Sequence, residues 1–192
     1  MSFADLYHYC QGLEPKIDRN DIRAHAVDFA GNGPVRTMKT TMDPALCRGF
    51  YLSARNSHHR FVQQHGTNVI VLPREGLNYC WERFIFVKEL MHLFDNPDQA
   101  ADTGNKFEQM LTEILPGASE PSPATLSEFD AFWMALSVFC PEALRLEFAA
   151  ARTAEQLDDY AIALRLRMPQ QYVQRYFEPR YRPIIDRLIA AP

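Results

Sequence analysis

Residues 81–94, from Trp81 to Phe94, constrain this chain more than any other segment. Phe84, Val87, Leu90, Met91 and Phe94 recur at helical spacing and make one apolar stripe. Asp95-Asn96-Pro97 ends the pattern, because the residue before a proline is pushed away from helical backbone angles. A helix turns about 100° per residue, so positions four apart differ by roughly 40° and positions seven apart by roughly 20°. Lys88, His92 and Asp95 therefore share a face, with Glu89 on its flank. This is the central helix around which the other elements are expected to pack.

With 192 residues, 47% of them apolar, the chain is long enough to bury one good core, and a single domain over 1–192 with appended helices is expected. A membrane-spanning helix needs about 18 uninterrupted apolar residues. Arg83, Lys88 and Glu89 interrupt the most apolar region, so no membrane association is expected. The opening Met1-Ser2-Phe3-Ala4-Asp5 lacks the basic and apolar regions of a secretory signal, which points to a cytoplasmic protein. A net charge of −4 argues against nucleic acid as a partner. The terminal run of Tyr172, Tyr176, Phe177 and Tyr181 with Arg175, Arg180, Arg182 and Arg187 is the one place where a basic aromatic patch would form, and Glu178 and Asp186 dilute it. Cys10, Cys47, Cys80 and Cys140 are widely spaced, without C-x-x-C pairing, and read as buried free thiols; Cys80 has no base partner that would make it a nucleophile.

Ser2 with Asp5 opens a short helix ending near Gly12. The alternation through Ile22, Ala24 and Ala26 suggests a strand before Gly31-Asn32-Gly33-Pro34. Gly49–Leu52 and Asn68–Leu72 read as strands of a small, mainly antiparallel sheet, the second ended by Pro73. Further helices are expected over Asn105–Leu115, from the capping box Thr125-x-x-Glu128 through Leu136, from Pro141, and from Thr153-x-x-Gln156 to Arg167. Phe129, Phe132, Trp133 and Leu136 then line one face, read as core.

The H-E-x-x-H pattern supplies two zinc ligands and a general base from one helix face. Here it reads K-E-x-x-H, Lys88-Glu89-x-x-His92. An ammonium has three donors and no lone pair, so Lys88 ligates a metal only when deprotonated, and neighbouring carboxylates oppose that.

Two separated segments carry a resemblance. Asn68–Leu72 followed by Glu82-Arg83-Phe84 through His92-Leu93-Phe94 resembles the strand and "RF-x-x-A-HEL-x-H" helix of the ImmA/IrrE metallopeptidases. Asp158-Asp159-Tyr160-Ala161 through Arg167-Met168-Pro169 resembles that family's "E-A-N-x-F-A-A-x-L-L-M-P" helix, whose leading acid is the third zinc ligand. The likeness covers roughly residues 46–177. It implies an α+β, zincin-like fold with additional C-terminal helices. The departures are Lys88 for histidine, Asp158 for glutamate and Tyr160 for asparagine.

The resulting expectation is a pseudo-enzyme that binds no cofactor and takes a protein or peptide in the former substrate cleft around Lys88, Glu89, His92 and Asp158. In it, the Lys88 ammonium pairs with Glu89 and Asp158 in place of a metal. The alternative is a zinc metallo-endopeptidase cleaving a regulatory protein, with His92 and Asp158 as ligands and Glu89 as the base that activates water. His58, His59 and His65 read as loop or turn residues and are the reserve of substitute ligands. A purely structural or assembly role, with an idle cleft, is the third class.

Overall fold

The computed structural model describes residues 2–13, 17–99, 113 and 120–191, and the fold is α+β with a three-stranded mixed sheet. Helix α1 (Phe3–Gln11) opens on the expected capping box, with the Ser2 amide donating to Asp5 Oδ2 at 2.7 Å. Residues 22–27, expected as a strand, lie within helix α2 (Arg19–Ala30). Asp18 caps it by accepting from the Asn20 amide at 2.6 Å, and Gly31 stops it in the left-handed conformation. Ile22 and Ala26, four apart and fully buried, make the inward face.

Strand β1 (Val35–Thr40) was not expected. Its Arg36 and Lys39 belong to an edge, where charge discourages further pairing. Strands β2 (Phe50–Leu52) and β3 (Asn68–Pro73) occupy the expected segments, the latter after a one-and-a-half-turn helix α3 (Arg60–His65). The order is β1-β3-β2, with β3 central. β1 pairs with β3 in parallel over six positions and β2 pairs antiparallel over three, which corrects the expectation of a mainly antiparallel sheet. Val69 through Leu72 are buried on both faces, as a central strand requires. Buried Asn68 ties the sheet to its loops. Its side chain accepts from Tyr51 Oη at 2.9 Å and the Ala54 amide at 2.8 Å, and donates to the Asn32 carbonyl at 2.8 Å.

Helix α4 (Tyr79–Met91) is capped by Asn78 and tightens into a 3₁₀ turn over His92–Phe94 before Asp95. It packs on β3, on α2 and on helix α5 (Pro123–Phe139). The start of α5 departs from the expected capping box. Ser122, not Thr125, is the cap, and Thr125 donates its hydroxyl to Glu113 at 2.8 Å. Glu128 is thereby released from any capping role. Helix α6 (Glu142–Thr153) follows Pro141 directly, so Thr153 ends a helix and does not open one. Helix α7 (Asp159–Leu166) is capped by Asp158, whose carboxylate accepts from the Ala161 amide at 2.7 Å. A 3₁₀ segment (Gln170–Phe177) and helix α8 (Tyr181–Ala190) complete the chain. The expected helix over Asn105–Leu115 lies outside the described residues apart from Glu113.

The core is aromatic at its centre. Phe84 stacks on Phe139 at 5.7 Å between centroids, meets Phe132 edge-on and lies tilted against Tyr172. Trp133 and Leu136 are buried as expected, whereas Phe129 is 47% exposed. The terminal arginines are each matched by an acid: Arg175 and Arg180 by Glu178, Arg182 by Asp186, and Arg187 by Asp130. Tyr176 and Tyr181 are buried, so this segment is core with a neutralised rim. Cys10 and Cys140 are buried, while Cys47 and Cys80 are half-buried.

Arg83 holds the layers together. The residue is 2% exposed, and its guanidinium carbon lies 4.2 Å from the Phe139 ring centre. It donates to the Leu166 carbonyl at 2.8 Å, the Arg167 carbonyl at 3.3 Å and the Ile17 carbonyl. One side chain thus fastens the end of α7 and the approach to α2 onto α4. Burial draws its pKa down to about 10, which leaves it charged at neutral pH. Arg83→Met strands two buried acceptors and a partly buried one, and a loss of about 3 kcal/mol is expected in urea unfolding. An unfolding midpoint equal to wild type would show that the clamp carries no load.

Candidate functional site

The face of α4 singled out by its sequence is a buried charge cluster closed by α5. Lys88 Nζ donates to Glu89 Oε1 at 3.0 Å and to Glu128 Oε2. His92, at the start of the 3₁₀ turn, places Nδ1 at 2.8 Å from Asp95 Oδ2 and 3.0 Å from Ser127 Oγ. Ser127 donates its own proton to Asp95 Oδ2 at 2.7 Å. His92 Nε2 faces two carboxylates, 3.4 Å from Glu128 Oε1 and 3.7 Å from Glu89 Oε2. The ring of Tyr51, on β2, stacks over His92 at 5.9 Å. Side-chain exposure is 4% for Glu89, 7% for His92, 15% for Lys88 and 30% for Glu128, so the cluster opens to solvent on the Lys88 and Glu128 side.

The electrostatics follow from burial and proximity. Burial alone would depress the Lys88 pKa, but the Glu89 and Glu128 carboxylates outweigh it and hold the ammonium above its ordinary value. Burial raises Glu89 against the pull of Lys88. Glu128 is held well below the usual carboxylate range, because His92 and Lys88 together outweigh its desolvation. His92 is pushed up to about 10, since hydrogen bonding to Asp95 and attraction to Glu128 overcome burial.

Of the expected site residues, Lys88, Glu89 and His92 come together and Asp158 does not. The acid that reaches Lys88 from outside its helix is Glu128, while Asp158 is spent capping α7. Glu128, Ser127 and Tyr51 were missed. The only local signal at Glu128 was its place three residues after Thr125, which points to a cap.

The zinc implied by the family resemblance does not fit the three positions it names. Lys88 presents donors to both glutamates, and the Asp158 carboxylate takes no part in the cluster. His58 is exposed, His59 caps α3 through Nδ1 and His65 ends α3; among the described residues none of them joins His92. Ser127 is not placed as the serine of a catalytic triad. Ser127 Oγ is turned to Asp95 and to the same His92 nitrogen that Asp95 binds, so no base faces it from the other side.

Breaking a buried ion pair from one side leaves uncompensated charge, so Lys88→Ala should cost about 3 kcal/mol. An unchanged melting temperature would remove the cluster from the stability of the fold. His92 gives a pH signature. Its folded pKa, about 10, lies above the unfolded value of 6.5, so its contribution is complete below pH 6.5 and is lost as pH rises through about 10. The melting-temperature gap between wild type and His92→Gln should therefore narrow across that interval, and a constant gap would mean a neutral imidazole. Glu128 acts oppositely, its contribution being present above its unfolded pKa of 4.5 and lost as the pH falls.

Comparison of the chain with family models, with curated proteins and with solved structures yields no match.

Proposed function

We propose that this chain is a non-catalytic relative of the ImmA/IrrE metallopeptidases, zincin-like in fold, that works by binding a protein or peptide in the cleft above the Lys88 cluster. The observation that carries this reading is the Lys88 ammonium hydrogen-bonded to both Glu89 and Glu128. A general base must offer a free lone pair to water, whereas the buried Glu89 gives Oε1 to the Lys88 ammonium and turns Oε2 toward His92. Occupancy of a partner is supported by what surrounds the cluster. Among the described residues, β2 has no strand on its outer side, and its Tyr51 lies against His92. An extended segment can add to such an edge through main-chain hydrogen bonds. Leu126 and Phe129, three apart and so on one face of the helix that carries Glu128, are 44% and 47% exposed and supply apolar surface there. No helix among the described residues is long and apolar enough to cross a membrane.

The second reading, a metallo-endopeptidase with a non-standard ligand set and Glu89 as base, draws on the direction of His92 Nε2 toward two carboxylates. A photo-crosslinking amino acid at Leu126 or Phe129 separates the two, with exposed Leu146 on α6 as the control position. A discrete adduct is expected from the first two positions and not from Leu146, with the partner intact and the adduct retained in Glu89→Gln. A partner cut by wild type and spared by Glu89→Gln would establish the peptidase. Equal labelling from all three positions would remove the cleft as the binding site.

A further inference from the structure

The net charge of −4 is an average over two unlike parts of the chain. Residues 31–74, which form the three strands and α3, hold six cations, Arg36, Lys39, Arg48, Arg55, Arg60 and Arg74, against one acid, Asp43. All six cations are exposed. Among the described residues only Lys39 meets an acid, Glu82 at 2.7 Å. Arginines of the helical part are treated differently: Arg19, Arg145, Arg152 and Arg187 each lie within 3.0 Å of a carboxylate. Acids outnumber bases in this chain, so the five arginines of the sheet layer are not left bare for want of partners. Gathered like charges repel one another, and an external anion relieves that repulsion.

The fold brings three of these arginines to one end of the sheet. Asn68, the first residue of β3, is in register with Val35, the neighbour of Arg36. Its side chain accepts from the amide of Ala54, the neighbour of Arg55, at 2.8 Å. Two tight turns follow, closed by Asn56 on the Ser53 carbonyl at 2.9 Å and by His59 on the Asn56 carbonyl at 3.1 Å, and they lead to Arg60 at the start of α3. That helix packs back on β3. At the opposite end, Arg74 follows β3 directly and Arg48 stands two residues before β2. A strand of this length separates the two groups by roughly 20 Å, the rise of about six base pairs of duplex. Arg48 lies on the Trp81 ring at 4.1 Å and Arg60 on the Phe61 ring at 4.8 Å, which limits the side-chain freedom lost on binding.

The chemistry of the layer selects the class of anion. Protein interfaces are built around aromatic and apolar anchors. Across residues 31–74 the one large apolar side chain that stands exposed is Leu46. Phosphates ask only for charge and N–H donors, and the planar fork of arginine fits them better than an ammonium does. We propose that the sheet layer is a surface for the phosphodiester backbone of a nucleic acid, held by Arg36, Arg55 and Arg60 at one end of β3 and by Arg48 and Arg74 at the other. It does not depend on the cleft beside Lys88.

The test is fluorescence anisotropy of a labelled DNA duplex of about 20 base pairs, titrated with the full chain between about 50 and 200 mM sodium chloride. Wild type should bind with an affinity that falls steeply as salt rises. Arg36→Gln/Arg55→Gln/Arg60→Gln should weaken binding about tenfold or more and flatten the plot of log K against log salt by nearly one for each arginine removed. Arg36→Lys/Arg55→Lys/Arg60→Lys, which keeps the charge, should keep the slope. Arg23, Arg165 and Arg167 also lack an acid partner among the described residues but lie on or next to α2 and α7. Their triple glutamine variant loses the same charge and should bind within twofold of wild type. Absence of binding by wild type, or an equal loss in both glutamine variants, overturns the proposal. Polyglutamate that displaces the duplex as readily as unlabelled duplex does also overturns it, and would mark the layer as a surface for an acidic protein.

Discussion

One positive charge, the ammonium of Lys88, lets the end of α4 be buried against the start of α5. Around it lie Glu89 and Glu128, and beyond them an imidazolium held by Asp95. Each carboxylate would be costly to bury alone, and together they would repel one another. The ammonium between them offsets that repulsion, and Ser127 donates to the same Asp95 oxygen that holds His92. Such a cluster adds less net stability than its contacts suggest, because desolvation offsets the attraction. Its consequence is geometric: it sets which residue of α5 faces which residue of α4.

The other end of α4 is held by a second buried cation of a different kind. Arg83 meets backbone carbonyls and the Phe139 ring, and among the described residues no carboxylate. Its planar fork reaches several acceptors at once, which a lysine could not do from one position. The two cations divide the helix between them. Arg83 fastens the scaffold, with α7 and the approach to α2, and Lys88 organises the opening beside β2.

Elements written in local chemistry were legible in the chain. The capping box of α1, the apolar run of β3 and the stripe and proline stop of α4 each depend on residues within a few positions of one another. Misreadings arose where two periods or two caps competed. Ile22, Ala24 and Ala26 alternate like a strand, yet the cap at Asp18 and the left-handed Gly31 bracket a helix. Thr125-x-x-Glu128 has the form of a cap, but Ser122 followed by Pro123 starts the helix earlier. Thr153-x-x-Gln156 fails in the same way against Asp158, a cap in its own right and so not a member of the cluster. β1 escaped notice because its polar edge carries no apolar alternation.

The sequence by itself determined that Lys88, Glu89, His92 and Asp95 share one side of a helix, because helical geometry ties residues three, four and seven apart whatever surrounds them. It also determined that an ammonium stands at the first position of that pattern. Only the tertiary structure decided which acid meets the ammonium, which hydroxyl steadies the imidazole pair and which aromatic ring covers it. Glu128, Ser127 and Tyr51 lie 35 to 41 residues along the chain from the groups they meet, and their meeting with α4 depends on how α5 and the sheet pack. No local rule encodes that packing, since it is settled by the fit of whole faces such as the aromatic core around Phe84.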